Sequence, residues 1–228
     1  MILLKKPAVD YRQFRLSRRN EPQFAHLKLL WGWVGYFTLY ILTELYIPAG
    51  RCYVIWHPLD DRIPFCEVFI LPYVVWYFAV AGSLAYFLLY NVESFKKLSK
   101  FIIITQVAAM AIYILFPTRQ DLRPEVFPRD NLFTRMIGVL YTIDTNTNVC
   151  PSLHVGYSIA MASVWAKEKE VPKWVRTVIV VFCITVCLAT VFIKQHSVVD
   201  GFAALMICLV AEAALFRDWY QKKLIRKQ

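Results

Sequence analysis

Six apolar runs make up nearly half of this chain, at residues 29–47, 68–90, 101–116, 155–166, 175–193 and 198–216, and none holds more than two charged residues. A soluble core accepts such runs only if enough other chain covers them. Here 58% of the 228 residues are hydrophobic and 16% aromatic, and the mean hydropathy is +0.46. A soluble domain of this size cannot bury that much apolar surface, so lipid has to be part of the solvent. At about 1.5 Å per residue, a helical run of about twenty residues crosses a hydrocarbon core of about 30 Å. The fourth run, 155–166, is short for a span and by itself suits a core or re-entrant helix. The Lys-Glu-Lys-Glu at 167–170 extends it if those side chains snorkel to water.

The expected fold class is therefore all-α: one integral membrane bundle of about six transmembrane helices over residues 29–216. A basic segment, 1–28, precedes it and a basic tail, 217–228, follows. No internal repeat of solenoid length is visible.

The formal net charge is +10, from 26 Lys and Arg against 16 Asp and Glu. In a soluble protein that excess raises the question of nucleic acid. Here the basic residues flank apolar runs and no zinc-finger or RNP-like spacing occurs, so no nucleic-acid partner is expected. With the N-terminus cytoplasmic, six crossings leave 19 Lys and Arg on the inner side and 7 on the outer, as the positive-inside rule requires. Both termini are then cytoplasmic, in a multi-pass protein of the plasma membrane. The polar segment 117–148, the entrance of the fourth run and the turn between the fifth and sixth all fall on the outer side.

Residues 1–28 interleave Lys5, Lys6, Arg12, Arg15, Arg18, Arg19 and Lys28 with Tyr11, Phe14 and Leu16. A basic interfacial helix on the anionic inner leaflet and a solvated tail both fit this pattern, and no cleaved signal is expected. Cys183, Cys187 and Cys208 lie within apolar runs as small packing residues. Cys52, Cys66 and Cys150 fall in connecting segments, where free thiols and a disulfide are both open, since no spacing specifies a pair.

Two short stretches carry the chemistry. Cys150-Pro151-Ser152-Leu153-His154 opens the fourth run, and Lys194-Gln195-His196-Ser197-Val198-Val199-Asp200 separates the fifth from the sixth. A histidine where a helix enters a membrane is costly and marks a functional candidate. His196 and Asp200 are four apart, on one helical face, so the carboxylate can hold one ring nitrogen and leave the other as a nucleophile. A helix N-terminus at Ser152–His154 offers unpaired N–H groups and a favourable dipole for an anion. With Arg119, Arg123 and Lys194 nearby in sequence, the set suits a phosphate ester. No clustered His, Cys, Asp or Glu spacing supports a metal site. Asp121, Asp144 and Asn148 read as loop hydrogen-bonding residues.

These residues resemble the type 2 phosphatidic acid phosphatase superfamily, the membrane lipid phosphatases and phosphotransferases. Arg123-Pro124 matches the end of its first motif, Pro151-Ser152-Leu153-His154 the second, and His196-x3-Asp200 the end of the third. The likeness spans roughly residues 116–201. Phe116 stands where the family has a lysine, Ala189-Thr190 where it has Ser-Arg, and Leu153 where many members carry glycine. Pro-Ser-Leu-His and Lys-Gln-His are similar to the branch of inositolphosphorylceramide synthases, near the sphingomyelin synthases.

The resemblance implies His196 as a nucleophile forming a phosphohistidine, Asp200 orienting it, and His154 as the acid and later base. It implies Arg119, Arg123, Lys194 and Ser152 on the phosphate oxygens, Lys194 replacing the absent arginine, with no cofactor or metal needed. The implied partner is a lipid phosphate ester in the bilayer, hydrolysed or passed to a lipid alcohol. Two readings from other classes stand beside it. A transporter would use the same ionisable residues as an ion path, but they cluster at one face, not the midplane. A non-catalytic lipid binder would fit the missing Ser-Arg.

Overall fold

The computed structural model describes residues 6–225, with side chains through residue 221. Residues 1–5 and 226–228, which include Lys5, Arg226 and Lys227 of the two basic ends, lie outside the described residues. Eight helices follow in order: α1 (Trp31–Tyr46), α2 (Pro58–Arg62), α3 (Ile70–Tyr90), α4 (Val92–Leu115), α5 (Leu132–Ile143), α6 (Leu153–Lys167), α7 (Lys173–Phe192) and α8 (Val198–Ile225). Two short strands, β1 (Tyr53–Val54) and β2 (Thr118–Arg119), pair in parallel and tie the segments leaving α1 and α4.

Four stretches are long and apolar enough to cross a membrane: Glu67–Tyr90, Val92–Leu115, Lys173–Phe192 and Val198–Gln221. Their outward faces carry exposed Phe78, Val107, Val181, Ile184, Phe202 and Val210, an apolar surface of the kind that faces lipid. The remaining two runs form shorter helices. α1 has 16 residues, preceded by a 3-10 stretch over Ala25–Leu30. α6 has 15, about 22 Å of helix.

The shortness of α6 has a packing reason. It lies against α3, α4, α7 and α8, and Val155, Tyr157, Ala160, Met161, Val164 and Trp165 are all buried. A helix enclosed by protein need not match the bilayer thickness, because its neighbours rather than lipid cover it. Gly156 sits where an added Cβ would meet Thr105 at 3.5 Å, so α6 approaches α4 closely there. Tyr157, Ala160, Met161, Val164 and Trp165 of α6 join Phe95, Leu98, Phe101 and Ile102 of α4 and Cys183 and Val186 of α7 in one core.

Caps explain where the helices stop. Asn91 alone separates α3 from α4; its side chain accepts the Ser94 N–H at 3.1 Å and donates to Glu168 at 2.7 Å. That replaces the helical bonds lost at the junction. Ser163 and Lys167 of α6 both bind Glu212 of α8. The bundle is therefore tied by polar contacts at the end remote from the histidines.

The polar segment 117–148 is less open than its composition suggests. It holds α5, capped by Asn131, and Arg129 and Asn131 both bind Glu67 beside the start of α3. The sequence reading missed α5, β1 and β2. The N-terminal segment forms neither an interfacial α-helix nor a free tail over its described part. It folds as short 3-10 turns anchored by Ala8 N–H to Leu89 O at 2.7 Å. At the other end α8 continues through Ile225, so residues 217–225 extend the helix and are not a separate tail. Cys52, Cys66 and Cys150 are free thiols.

Candidate active site

His196 Nδ1 lies 3.1 Å from Asp200 Oδ2, and the same oxygen accepts the Ser197 N–H at 3.0 Å. An ionised carboxylate only accepts, so it holds Nδ1 as the donor and leaves the Nε2 lone pair free. The spacing of four expected from sequence thus produces a contact. Asp60 of α2 completes this end of α8: its carboxylate accepts Ser197 Oγ at 2.6 Å and the Val198 N–H at 2.9 Å, a cap at the positive end of the helix dipole.

His154 stands in the first turn of α6. Two hydrogen bonds hold the chain entering that turn: the Ser152 N–H donates to Asp200 O at 3.0 Å, and the Tyr113 hydroxyl donates to Pro151 O at 2.7 Å. The imidazole is gripped by aromatic rings of α3, with centroids 4.3 Å from Tyr73 and 4.2 Å from Trp76, and Tyr77 edge-on at 5.8 Å. Positions 73, 76 and 77 share one helical face. His154 Nδ1 is 3.4 Å from Tyr73 Oη, the outer limit of a hydrogen bond. Its Nε2 is buried with no partner among the described residues. The two imidazole centroids are 5.8 Å apart.

Both histidines line a cavity of about 730 Å³ between α1 and α3. Asp144, Gln195 and the histidines form part of its polar end. Trp33, Tyr36, Phe37, Trp76 and Tyr77 give it an aromatic body, which runs on past Val80 to Leu84 and Leu30. Chemistry at one end and an apolar body at the other is the shape that an amphiphile fits.

The cations expected on a phosphate are placed elsewhere. Lys194 has a left-handed backbone, φ 55°, which turns its side chain towards α2. There Nζ donates to the carbonyls of Asp60 and Ile63, both at 2.6 Å. Burial lowers the pKa of this amine, against the pull of Asp60 and Asp61. Arg119 pairs with Asp121 at 3.2 Å. Arg123 donates to the carbonyls of Tyr141, Asp144 and Thr145 at 3.1, 2.6 and 2.8 Å, and lies over the Tyr141 ring. Ser152 is fully buried and caps α6, its Oγ accepting the Val155 N–H at 3.4 Å. Of the seven residues expected in the site, the structure thus brings His154, His196 and Asp200 together. Arg119, Arg123, Lys194 and Ser152 do not line the cavity, and no Lys or Arg is among its described lining residues.

The chain matches no protein-family model, no curated protein and no solved structure.

Asp144, read from the sequence as a loop hydrogen-bonding residue, instead lines the cavity together with Gln195. Asp144 Oδ2 accepts Tyr73 Oη at 3.0 Å and Gln195 Nε2 at 2.9 Å, while Gln195 Oε1 accepts Arg123 Nη2 at 2.7 Å. Arg123 is thus one side chain behind the cavity wall, linked to it through Gln195. Burial raises the pKa of Asp144; the charge of His196, the Tyr73 hydrogen bond and Arg123 oppose that rise. Gln195 could have been suspected from its place beside His196, whereas nothing local marks Tyr73 or Trp76 among so many aromatics. No three His, Cys, Asp or Glu side chains converge as metal ligands among the described residues.

Proposed function

We propose that this protein is a membrane-embedded phosphoryl-transfer enzyme acting on a lipid phosphate ester through a phosphohistidine, with hydrolysis as its reaction. One observation carries the reading. Two histidines more than forty residues apart in sequence meet at the polar end of one apolar cavity, one oriented by a carboxylate and the other with an unpartnered ring nitrogen. The motif resemblance to the type 2 phosphatidic acid phosphatases supports it. In this reading the two short helices complete a six-span bundle, with the histidine end outside and both termini cytoplasmic.

The chemistry balances with the residues at hand. His196 Nε2 attacks phosphorus and a P–N bond forms, while the P–O bond to the lipid alcohol breaks. His154 delivers its Nε2 proton to the leaving oxygen, then takes a proton from water as the water oxygen attacks phosphorus and the P–N bond breaks. Asp200 keeps the His196 ring in the reactive tautomer. Positive potential comes from the N-terminal turn of α6 and from Arg123 behind Gln195.

A second reading rests on charge. The described cavity lining has the Asp144 carboxylate and no Lys or Arg. A doubly charged phosphate monoester is poorly matched to such a wall, and a singly charged phosphodiester fits better. That favours transfer of a phospho-headgroup to a lipid alcohol. One experiment addresses both readings: purified protein is given radiolabelled phosphate monoester and diester lipids, with and without a lipid alcohol, and the products are resolved. Free phosphate supports the phosphatase, and a new lipid ester that needs His196 supports the transferase. Absence of any acid-labile phosphoprotein with every substrate removes the phosphohistidine proposal.

A further inference from the structure

A second cavity, of about 670 Å³, lies at the N-terminal end of α1, remote from the histidines. Phe14, Leu16, Leu27, Trp31 and Val34 give it an apolar lining, and Arg19 and Lys28 are its charged residues. From this arrangement we infer that the groove binds one anionic phospholipid of the adjoining leaflet, its phosphate between Arg19 and Lys28 and a chain along α1. The site is separate from the phosphoryl-transfer centre and does not depend on that reading.

The wall that carries Phe14, Leu16 and Arg19 is held in place. Tyr11 Oη donates to Leu88 O at 2.8 Å and lies 2.7 Å from His26 Nε2, while Phe14 packs edge-on against Phe24 at 5.3 Å. The basic residues of this segment then divide into two groups. Arg12 pairs with Asp10 at 3.0 Å, Arg18 pairs with Glu21 at 2.6 Å, and Arg15 donates to the carbonyls of Arg12 and Phe14. The Arg19 and Lys28 side chains make no ion pair or hydrogen bond among the described residues, and no acidic residue lines the groove. Two uncommitted cations on one cavity are an anion site waiting for its charge.

The apolar part decides what kind of anion. Leu16 is 73% exposed and Trp31 68% exposed, so a soluble phosphate would leave this surface in water. A phospholipid covers both kinds of surface at once. Trp31 at the helix end is placed as an interfacial aromatic, and Arg19 and Lys28 can lay their stems along the chain with their charges at headgroup level. Leu30 lines this groove and the large cavity alike, so a lipid seated here also braces one wall of the histidine cavity.

The test uses the full chain in detergent, titrated with phosphatidylglycerol, phosphatidylcholine or inorganic phosphate, and read by native mass spectrometry and thermal unfolding. One phosphatidylglycerol should remain bound and raise Tm, while phosphatidylcholine and inorganic phosphate do neither. Arg19→Gln with Lys28→Gln should reduce phosphatidylglycerol affinity about tenfold or more, as expected for two cations near an anionic headgroup. Arg12→Gln with Arg15→Gln removes the same charge from the same segment and should leave the affinity within about twofold. Arg19→Lys with Lys28→Arg should retain selectivity, which separates charge loss from misfolding. Equal loss in both glutamine pairs, stabilisation by phosphatidylcholine, or retained selectivity in the Arg19/Lys28 glutamine pair would each overturn the proposal.

Discussion

The two imidazoles of the candidate site are held by different means, and the difference suits different tasks. A carboxylate at 3.1 Å fixes the tautomer of His196, which a nucleophile needs. Aromatic faces at 4.2 and 4.3 Å fix the plane of His154 without occupying its Nε2, which an acid needs free. His196→Ala should therefore lose about 10⁴-fold or more of turnover together with any phosphorylated intermediate. His154→Ala should lose about 10²–10⁴-fold with ordinary esters yet still form intermediate from esters whose leaving group needs no proton. Identical behaviour of the two variants with an activated ester, followed by rapid quench, would remove the assignment.

Lys194 belongs to the same scale with a different expectation. Its ammonium is engaged by two carbonyls at 2.6 Å, and charged hydrogen bonds of this kind contribute about 1.5–3 kcal/mol each. Lys194→Ala should lower Tm, while activity per folded molecule stays within about tenfold. Thr190→Arg should not restore it, because Thr190 is 1% exposed and a guanidinium there overfills the core. A hundredfold activity loss at unchanged Tm would return Lys194 to the phosphate.

Asp144 gives a pH signature. Its pKa in the folded state is raised, first by burial, so folding disfavours its ionised form relative to the unfolded chain. Stability from this group is then fully present below the ordinary carboxylate value, and it falls as pH rises through the folded pKa. Asp144→Asn should raise Tm at neutral pH relative to the parent, and the gain should shrink below about pH 4. A gain that is constant with pH would mean that volume or hydrogen bonding, not charge, sets the difference.

At the scale of elements, α6 is the helix on which the site depends. It is enclosed on several sides by other helices, and its first turn carries His154. Ser152 lies at the junction of two readings, since a hydroxyl there can cap a helix or touch a phosphate. The observed Oγ accepts a backbone N–H from within the fully buried residue, so the cap is the role in this structure. Ser152→Ala should cost about 1 kcal/mol of stability, read as a lower Tm, and leave the turnover of folded protein within a few-fold. Ser152→Thr or Ser152→Asn, which also cap, should recover Tm if they fit the buried space. A large turnover loss in Ser152→Ala at full stability would instead place the hydroxyl on the substrate.

The whole molecule shows which kinds of information the sequence held. Apolar runs were legible because lipid imposes a composition on whatever it touches, and helices arose at all six of them. His196 and Asp200 were legible because a spacing of four on a helix is a contact. The partners of Arg119, Arg123 and Lys194 were not, since they depend on how the loop segments fold over one another and, for Lys194, on one left-handed residue. α5 escaped notice because its apolar residues sit inside a segment rich in charge, and β1 and β2 because two residues leave no periodicity. The charge asymmetry remains the guide to orientation. At the histidine end Arg119, Arg129 and Arg135 are paired with acids, and Arg123 and Lys194 are engaged by carbonyls. The end bearing Lys96, Lys97 and Lys100 keeps the larger share of Lys and Arg. The positive-inside rule predicts the cytoplasmic side for that end, the orientation proposed above. With Cys52, Cys66 and Cys150 replaced by serine, a cysteine at Val126, 82% exposed beyond α4, should react with an impermeant maleimide applied outside intact cells. A cysteine at Gln221 on α8 should react only after permeabilisation. Labelling of both from one side would break the alternation of spans between α4 and α8, and labelling with the sides exchanged would invert the molecule and place the histidines in the cytoplasm.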